Sequence, residues 1–460
     1  MINKDLNKYS DYFSVYTELR MQENRNNRIS MVNGDVMGNS VSSSSGVSSR
    51  VYKEGNWGFA SNPELSDTAI EYVVKSASDN VRFMNDRNKT QCGFVLPDTC
   101  GNYEMDLSTQ VSQNSQRQWI DFLKDIDSYI QEKYSHLTSR TIVLAGLDME
   151  KSLLTSSGST SYSMTPRGIM YVSLSMEKNG EPVELMDVFG GLGQLEDHFL
   201  DPTEYYSNID SLADHLLRKS KGVYADAGMK DVILDADLAG ILAHEAIGHT
   251  TEADLVLGGS IAGEYMGKQI SSELVTLIDY ANSVDGKTCP VPVFIDDEGT
   301  PSEDTVIIKD GELKSFMHNK DSARHFETKP TGNARAYAFS DEPLIRMRNT
   351  AIKPGTNTLE EMISAVDDGY YLMKSSNGQA DSTSEFMFGV PLGYEIKGGK
   401  LGNAIKDTTI SGVAFDVLKT IDMISSDMTW GAGGMCGKKQ WIPVGMGGPA
   451  IKCKVNIGGR

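Results

Sequence analysis

The sequence predicts an α+β fold in two domains. We expect an N-terminal mixed sheet with helices over residues 1–224, and a mainly antiparallel β domain over residues 225–460 that carries one histidine-bearing helix. A chain of 460 residues is long for one hydrophobic core, which favours two domains. The first half mixes strand-like alternation with amphipathic helical patterns. The second half repeats glycine-containing turns at short intervals between β-rich runs, which is typical of antiparallel sheet rather than βαβ units.

The N-terminal half is predicted to combine hairpins with amphipathic helices. Asn33-Gly34 is a hairpin turn signal within the strand-like residues 11–36. The serine-rich stretch 41–51 has the composition of a flexible linker, but the hairpin pattern of residues 50–59 favours a strand. Residues 79–117 are polar and irregular. The other predicted elements are helices over 61–78, 117–134 and 201–221, strands over 139–150, 151–160 and 167–178, and a glycine-rich loop over 188–194 that lacks the lysine of a phosphate loop.

The C-terminal half is predicted to be rich in short strands. Aspartate–glycine turns such as Asp285-Gly286 and Asp310-Gly311 separate the β-rich runs. The pattern of residues 410–422 leaves strand and helix open. The predicted elements are strands over 231–235, 291–295, 305–308 and 394–396, and a helix over 359–366.

Composition and charge exclude several classes of protein. Hydrophobic residues make up 39% and charged residues 23%, as in ordinary globular proteins. The 43 basic and 63 acidic side chains give a net charge of -20, which repels phosphate backbones and anionic membranes. We therefore expect no direct contact with nucleic acid. The N-terminus has no apolar signal core and no run of 18 apolar residues occurs, so no membrane span is expected.

The five cysteines are sparse and odd in number, which argues against a disulfide framework. Cys92 and Cys100 are close enough in sequence to pair. Sparse usage instead favours reduced thiols and a cytoplasmic protein. The other three cysteines are Cys289, Cys436 and Cys453.

Residues 241–254 contain the pattern on which the functional prediction depends. His244 and His249 are five positions apart, and Glu245 follows the first histidine. Imidazole is the commonest side-chain ligand of divalent metals, and a carboxylate beside two such ligands can act as a general base. In an ideal α-helix the two histidines would be about 140° apart, too far to hold one ion. We expect the helix to bend, widen into a π-type turn or end at Gly248.

The surrounding residues predict a helix that follows a short strand. Asp235 and Asp237 are both suitable N-caps after the predicted strand 231–235. An apolar stripe at helical spacing then comprises Leu238, Ile241, Leu242 and Ala246. The spacing alone leaves open that the histidines and the glutamate are ordinary hydrogen-bonded residues of a partly buried helix.

A third ligand is needed, since catalytic zinc usually has three protein ligands and one open position. Cys436 is the best choice, because the glycines around it leave room for a metal to approach the sulfur. A lone cysteine can also be an inert buried thiol. The sequence leaves two roles open for Glu252: a hydrogen-bond partner of a metal ligand, or a solvated carboxylate. His318 and His325 are more simply explained as members of a charged surface face, and the acidic residues 296–298 as a turn.

These motifs resemble the TldD/PmbA family of metallopeptidases, also described as modulators of DNA gyrase, and in particular the TldD branch with its HExxxH motif. The resemblance covers the C-terminal half closely and the N-terminal half more loosely. It implies that His244 and His249 are zinc ligands, that Glu245 is the catalytic base and that Cys436 is the third ligand. Further segments similar to the family, in family order, are Ile295–Pro301, Asp310–Lys314, Thr331–Asn333, Arg346–Thr350 and Pro443–Gly445.

The expected function is therefore a zinc-dependent peptidase that hydrolyses unfolded or leader-type peptides bound as an extended strand at a sheet edge. The resemblance implies a site enclosed by a dimer, either a homodimer or a heterodimer with a PmbA-like subunit. That sister subunit lacks the histidine–glutamate motif, so the motif implies a catalytically competent chain. Two alternatives stay open: a non-catalytic regulatory subunit with a structural metal, and a hydrolase acting on a non-peptide bond.

Overall fold

A computed structural model describes residues 2–87, 95–376 and 378–458, so Cys92 and any pairing of its thiol lie outside the described residues. The fold is α+β with several sheets, as the sequence predicts. Among the described residues, no helix has both the length and the apolar character needed to span a bilayer.

Strands before residue 193 form one large sheet. Its order is β3-β2-β1-β5-β6, and the outer edge of β6 pairs first with β4 and then with β7. Only the β4–β6 pair is parallel among the described residues of this sheet. The strands are β1 Tyr16–Val32, β2 Asp35–Lys53, β3 Asn56–Asn62, β4 Asn102–Asp106, β5 Ser139–Thr155, β6 Thr160–Lys178 and β7 Glu181–Leu192.

Helices cover one face of this sheet. Odd-numbered residues of β1 pack against them, with Leu19 in the cluster of the first helix and Ile29 in the cluster of the second. Side chains alternate across a strand, so the even-numbered residues of β1 face the C-terminal half of the chain. The helices are α1 Asp67–Arg87, α2 Gln116–Lys133, α3 Leu195–His198 and α4 Tyr206–Ser220, with 3₁₀ turns at Asn7–Tyr12 and Pro202–Tyr205.

The hairpin predicted at Asn33-Gly34 is confirmed, with φ values of 49° and 86° at the two turn residues. Residues 41–51 lie within β2, as favoured over a linker. The prediction of two strands over 139–160 is wrong, because β5 runs on to Thr155 as one strand. The prediction of irregular structure over 79–117 is incomplete, since the end of α1, β4 and the start of α2 lie there. Predicted helix 61–78 is displaced, and α1 extends from Asp67 to Arg87.

The glycine-rich loop predicted over 188–194 is also wrong in part, because residues up to Leu192 belong to β7. Gly190 pairs closely with β6, and a Cβ atom there would lie 2.1 Å from the carbonyl oxygen of Gly168. Its φ of 99° also favours glycine. Close pairing with β6 therefore explains the glycine at position 190.

Most strands after residue 227 form two further large sheets, and β10–β11, β14–β15 and β25–β26 form separate two-stranded pairs. One large sheet has the order β18-β19-β22-β28-β8-β17-β20-β21, with β23 also on β28, and the other has the order β13-β12-β9-β16-β27-β24. Most pairs are antiparallel, and β8–β17 and β16–β27 are parallel. The strands are β8 Gly228–Leu234, β9 Leu277–Tyr280, β10 Ser283–Val284, β11 Lys287–Thr288, β12 Thr305–Lys309, β13 Glu312–Leu313, β14 Ala334–Arg335, β15 Leu344–Ile345, β16 Asn349–Ile352, β17 Asp368–Met373, β18 Gly378–Ala380, β19 Glu385–Val390, β20 Leu392–Lys397, β21 Lys400–Ile405, β22 Thr408–Val413, β23 Met423–Ile424, β24 Thr429–Trp430, β25 Met435–Cys436, β26 Ile442–Pro443, β27 Gly445–Gly448 and β28 Ile451–Ile457.

Short helices fill the space around these sheets. They are α5 Ala236–Ile241, α6 Ala253–Leu257, α7 Lys320–His325, α8 Leu359–Ser364 and α9 Ala414–Lys419, with a π-helical segment Leu242–Gly248 and 3₁₀ turns at His249–Thr251 and Ile261–Glu264. The undecided residues 410–422 divide into the end of β22 and α9. The strand predicted over 291–295 is absent; Pro290 and Pro292 have no N–H group to donate to a ladder.

The largest hydrophobic core surrounds α5 and the π-helical segment. Leu238, Leu242 and Ile247 are fully buried there, among side chains from both C-terminal sheets. The domain boundary at residues 224 and 225 stays a prediction. The core fixes the histidine-bearing segment on all sides except the one that carries the site.

Candidate metal centre

The histidine-bearing helix begins at an aspartate cap. Strand β8 ends at Leu234, and the Asp235 carboxylate accepts a 2.9 Å hydrogen bond from the Leu238 N–H. This resolves the choice between Asp235 and Asp237. Gly240 packs directly on β27, where a Cβ atom would lie 2.4 Å from the Gly447 nitrogen. The helix is thus anchored to the sheet by backbone contact one turn before His244.

His244 lies in a π-helical segment that ends at Gly248, and His249 directly follows it, so the helix has one of the distortions expected from their spacing. The His249 N–H donates to the His244 carbonyl, five residues earlier. This backbone hydrogen bond therefore spans five residues instead of the four of an α-helix, which brings both imidazoles to the same side of the helix. Gly248 has φ -56° and ψ -54°, values open to any residue. The expectation that Gly248 supplies backbone freedom is wrong; a Cβ atom there would lie 2.0 Å from the Met347 sulfur, so glycine supplies space.

His244, His249 and Cys436 converge. One potential ligand atom from each lies within 4.8 Å of the other two, and the imidazole centroids are 5.1 Å apart. Cys436 Sγ lies 3.4 Å from His249 Nε2. His244 is fully buried, and neither of its ring nitrogens has a hydrogen-bond partner within the described part of the chain. Buried polar atoms are normally satisfied, so the two-nitrogen, one-sulfur donor set fits a divalent ion such as Zn²⁺.

Cys436 reaches the histidines from a short hairpin, in which β25 pairs with β26. The buried guanidinium of Arg346 donates to the Cys436 carbonyl at 2.9 Å and to the Gln440 carbonyl at 2.9 Å. Gly437 packs against the Trp441 ring, which a Cβ atom would approach to 3.1 Å. The loop is therefore held by its backbone, with the thiol directed inward.

Glu245 lies beside the ligand atoms and faces an open groove. Its carboxylate is 3.6 Å from His249 Nε2, and its side chain is 23% exposed. It is thus close enough to the histidines to act on a substrate group held there, and accessible to water from the groove.

The carboxylate of Glu252 fixes the His249 ring. Its Oε2 atom lies 2.8 Å from His249 Nδ1 and 3.2 Å from Lys438 Nζ, and the side chain is fully buried. A hydrogen bond at Nδ1 leaves Nε2 directed at the site. Glu252 is therefore a partner of the histidine and not a solvated carboxylate. Lys438 also contacts Asp254 at 2.7 Å, which compensates the buried charge.

The site favours a thiolate. Burial on its own raises the pKa of Cys436, but the neighbouring imidazoles of His244 and His249 lower it to about 3. Burial lowers the pKa of His249, but the charge of Glu252 and the contact with Cys436 outweigh this effect, and the net shift is upward. The thiolate is the form of cysteine that binds metals.

The smaller candidates lie outside this centre. His325 is exposed, as expected for a surface face, but His318 is buried, contacts the Ser322 hydroxyl at 3.2 Å and has its pKa lowered by burial to about 4. Residues 296–298 form the predicted turn, but their carboxylates are buried. Glu298 pairs with Arg50 of the N-terminal sheet, and Asp297 pairs with Lys151 at 2.7 Å.

An open groove passes over the centre and encloses about 1940 Å³ including its mouth. Glu245 and His249 line it, together with Tyr171 of β6 and the exposed Trp441. A second groove of about 1540 Å³ shares Tyr171 and continues to Phe189. Strand β18 lines the groove with Gly378, Gln379 and Ala380, and within the described chain it pairs only with β19.

The sequence analysis missed Lys438, Tyr171 and Arg167 as residues near the site. Lys438 is two residues from Cys436, so proximity in sequence could have indicated it. Tyr171 and Arg167 come from the other half of the chain, and only the fold brings them here. Arg167 donates hydrogen bonds to the carbonyls of Ala432 and Gly434, just before the thiol.

Comparison with known proteins agrees with this architecture. The family model described as PmbA/TldA metallopeptidase C-terminal domain matches residues 227–459, and the model of domain 1 matches residues 17–81. A metalloprotease of Methanocaldococcus jannaschii is 30% identical over 448 residues, 95% of each chain. A zinc metalloprotease TldD homolog of Saccharolobus solfataricus is 29% identical over 430 residues, 90% of each chain.

Among solved structures, TldE from Thermococcus kodakarensis superimposes with a TM-score of 0.77 at 17% identity, over 98% of both chains. At that identity the likeness concerns the fold. The family models and the M. jannaschii relative extend over both halves of the chain. The chain therefore belongs to the TldD/PmbA family, whose domains are described as those of PmbA/TldA metallopeptidases.

Proposed function

We propose that the protein is a zinc-dependent peptidase that hydrolyses unfolded or leader-type peptides. In this proposal His244, His249 and Cys436 hold the ion, and Glu245 is the general base. The observation that carries the proposal is the convergence of two imidazoles and one thiolate beside a groove-facing carboxylate. The name of the S. solfataricus relative, a zinc metalloprotease TldD homolog, supports the choice of metal.

When bound, zinc supplies Lewis acidity to the scissile carbonyl and to water. Glu245 takes a proton from the attacking water and passes it to the leaving amine, since its carboxylate faces the groove. Glu252 holds the His249 ring so that Nε2 points into the site. The buried walls around His244 and Cys436 exclude bulk water from the side opposite the groove.

The groove supports an extended peptide as substrate. Strand β18 and Glu245 line the same groove, and β18 has one edge that pairs with no other strand of the described chain, so a peptide can add there as a strand and be bound through its main chain. Such binding selects for unfolded segments, because a folded chain has already paired its backbone groups. Tyr171 and Trp441 offer apolar surface for side chains without a narrow pocket.

The proposal includes a dimeric assembly that encloses the groove, either of two identical chains or with a PmbA-like subunit. The structural likeness to TldE supports a partner of this family. The sparse use of cysteine supports a reducing compartment, the cytoplasm.

The direct test compares the wild type with Glu245→Gln and with a matched control, Glu264→Gln, on an exposed 3₁₀ turn. Bound zinc and hydrolysis of an unstructured peptide are measured together. We expect Glu245→Gln to retain zinc and to lose at least about 100-fold in kcat, the scale of general-base catalysis, and the control to match the wild type. Full activity of Glu245→Gln would refute the base assignment, and zinc without hydrolysis in the wild type would favour a structural metal.

A further inference from the structure

A buried arginine of the N-terminal sheet holds the loop that leads to Cys436. Arg167 lies in β6, and its side chain donates to the Gly434 carbonyl at 2.8 Å and to the Ala432 carbonyl at 2.6 Å. The residue is 6% exposed. A planar guanidinium can donate to two carbonyls at a fixed angle, whereas a lysine is a single point donor.

The loop itself lies against the N-terminal sheet. A Cβ atom at Gly433 would lie 3.2 Å from Val188 of β7, and one at Gly434 would lie 2.3 Å from the Val444 carbonyl oxygen. The chain is thus confined between the sheet on one side and the segment after β26 on the other. Because the loop has almost no side chains, hydrogen bonds to its carbonyl groups determine its position.

Among the residues that the structure describes, Arg167 has no acidic partner that would explain its burial. Within the described residues, no carboxylate lies within 4.0 Å of its guanidinium, and burial lowers its pKa to about 10. Burying an unpaired charge is costly, and hydrogen bonds to the loop carbonyls offset this cost. Arg346 donates a hydrogen bond to the Cys436 carbonyl. Two guanidinium groups therefore bracket the thiol through the backbone.

We propose that Arg167 is a positioning residue for Cys436, through which the N-terminal sheet completes the metal centre. By fixing the carbonyls of Ala432 and Gly434, it holds the sulfur opposite His244 and His249. The inference rests on the proposed function for the presence of the metal, but the loop contact is independent of it. The N-terminal half is then required for the geometry of the site as well as for stability.

The test uses full-length Arg167→Gln and the milder Arg167→Lys. Arg140→Gln is the matched control, because Arg140 is a partly buried arginine of the same sheet that pairs with Asp127 and, among the described residues, makes no hydrogen bond to the loop. Hydrogen–deuterium exchange of the metal-free proteins reports on amides 431–437. Titration with Co²⁺ reports the dissociation constant and the thiolate-to-cobalt absorption band. Cys436→Ser identifies that band.

We expect amide exchange of residues 431–437 to rise at least about 10-fold in Arg167→Gln, since two hydrogen bonds to a charged donor are lost. The Co²⁺ dissociation constant should rise about 10- to 100-fold, with a weaker sulfur band. Arg167→Lys should lie between, and Arg140→Gln should change neither reading. Unchanged exchange, or unchanged cobalt binding, in folded Arg167→Gln would overturn the inference. A wild type that binds no cobalt would instead refute the proposed metal centre, and exchange would still decide whether Arg167 holds the loop.

Discussion

Glu252 is the residue whose importance depends most on its surroundings. It is fully buried, and its Oε2 atom contacts both His249 Nδ1 and Lys438 Nζ. In Glu252→Gln the neutral amide no longer balances the positive charge of Lys438. It also no longer strengthens His249 as an electron-pair donor to the metal. We expect the zinc dissociation constant to rise about 10- to 100-fold in a chelator competition assay. Asp254→Asn is the control, because Asp254 contacts Lys438 but not His249; equal affinities for the two variants would contradict the role assigned to Glu252.

The sequence predicts those site residues whose chemistry is apparent from their neighbours in the chain. The spacing of His244 and His249 and the adjacent Glu245 indicated a metal site, the glycines around Cys436 made it the best third ligand, and the resemblance to the family implied the same role for it. Arg167 gave no signal, because an arginine in an alternating strand has the pattern of a solvent-exposed side chain. His318 was misjudged for a related reason: polar neighbours in sequence do not show that a residue is buried in the fold.

At the scale of the element, the π-helical segment requires glycine at position 248 for space. In Gly248→Ala the new methyl group would overlap the buried Met347 side chain. We expect the free energy of unfolding to fall by about 1–3 kcal/mol, the usual cost of overpacking, as measured by urea denaturation. Gly402→Ala is the control, since a Cβ atom there meets its nearest neighbour at an ordinary 3.4 Å. A Gly248→Ala variant as stable as this control would show that the segment can rearrange.

The N-cap of α5 should make stability depend on pH. Burial, followed by the charge of Asp237, raises the pKa of Asp235 from 3.8 to about 7. Between these values the folded state binds a proton that the unfolded state has released, so this group lowers stability as the pH rises from about 4 to 7. Urea midpoints over this range should fall less steeply in Asp235→Asn than in the wild type. Parallel profiles would contradict a raised pKa at the cap.

Helices and strands were predicted best where a turn or a helix cap determines where they begin or end. The Asn33-Gly34 hairpin and the helix after Asp235 followed from residue preferences alone. The π-type distortion could be named as one possibility, because the histidine spacing demanded some departure from an α-helix. The role of Gly190 in β7 was misjudged, since this glycine permits close pairing with Gly168, a contact that depends on another strand.

At the scale of the whole molecule, the two halves meet through buried polar groups. Glu298 accepts from Arg50 and from the Lys320 N–H at 2.7 Å, while Arg50 also donates to Glu18 at 2.9 Å. Even-numbered residues of β1 have the same role: Arg20 donates to the Asp341 carbonyl at 2.6 Å. Alternating polar residues in a strand predict a solvated face, and for this reason the sequence did not reveal that this face is an interface.

Breaking this interface should be costly. In Glu298→Gln the Arg50 charge stays buried with less compensation, and we expect a loss of about 3–5 kcal/mol in the free energy of unfolding. The exposed pair Lys397–Asp368 supplies the control, because Asp368→Asn removes a solvent-screened contact and should change stability little. Equal urea midpoints for the two variants would show that the buried network does not hold the halves together.

In the proposed metal centre, one ion is bound by two histidines at the end of the π-helical segment and by a thiol from a loop 187 residues beyond His249. X-ray absorption spectroscopy of the zinc-loaded protein tests this most directly. We predict one sulfur at about 2.3 Å and two imidazole nitrogens at about 2.0–2.1 Å, with the sulfur signal absent in Cys436→Ala. A wild-type spectrum without a sulfur shell, or one unchanged in Cys436→Ala, would contradict the account.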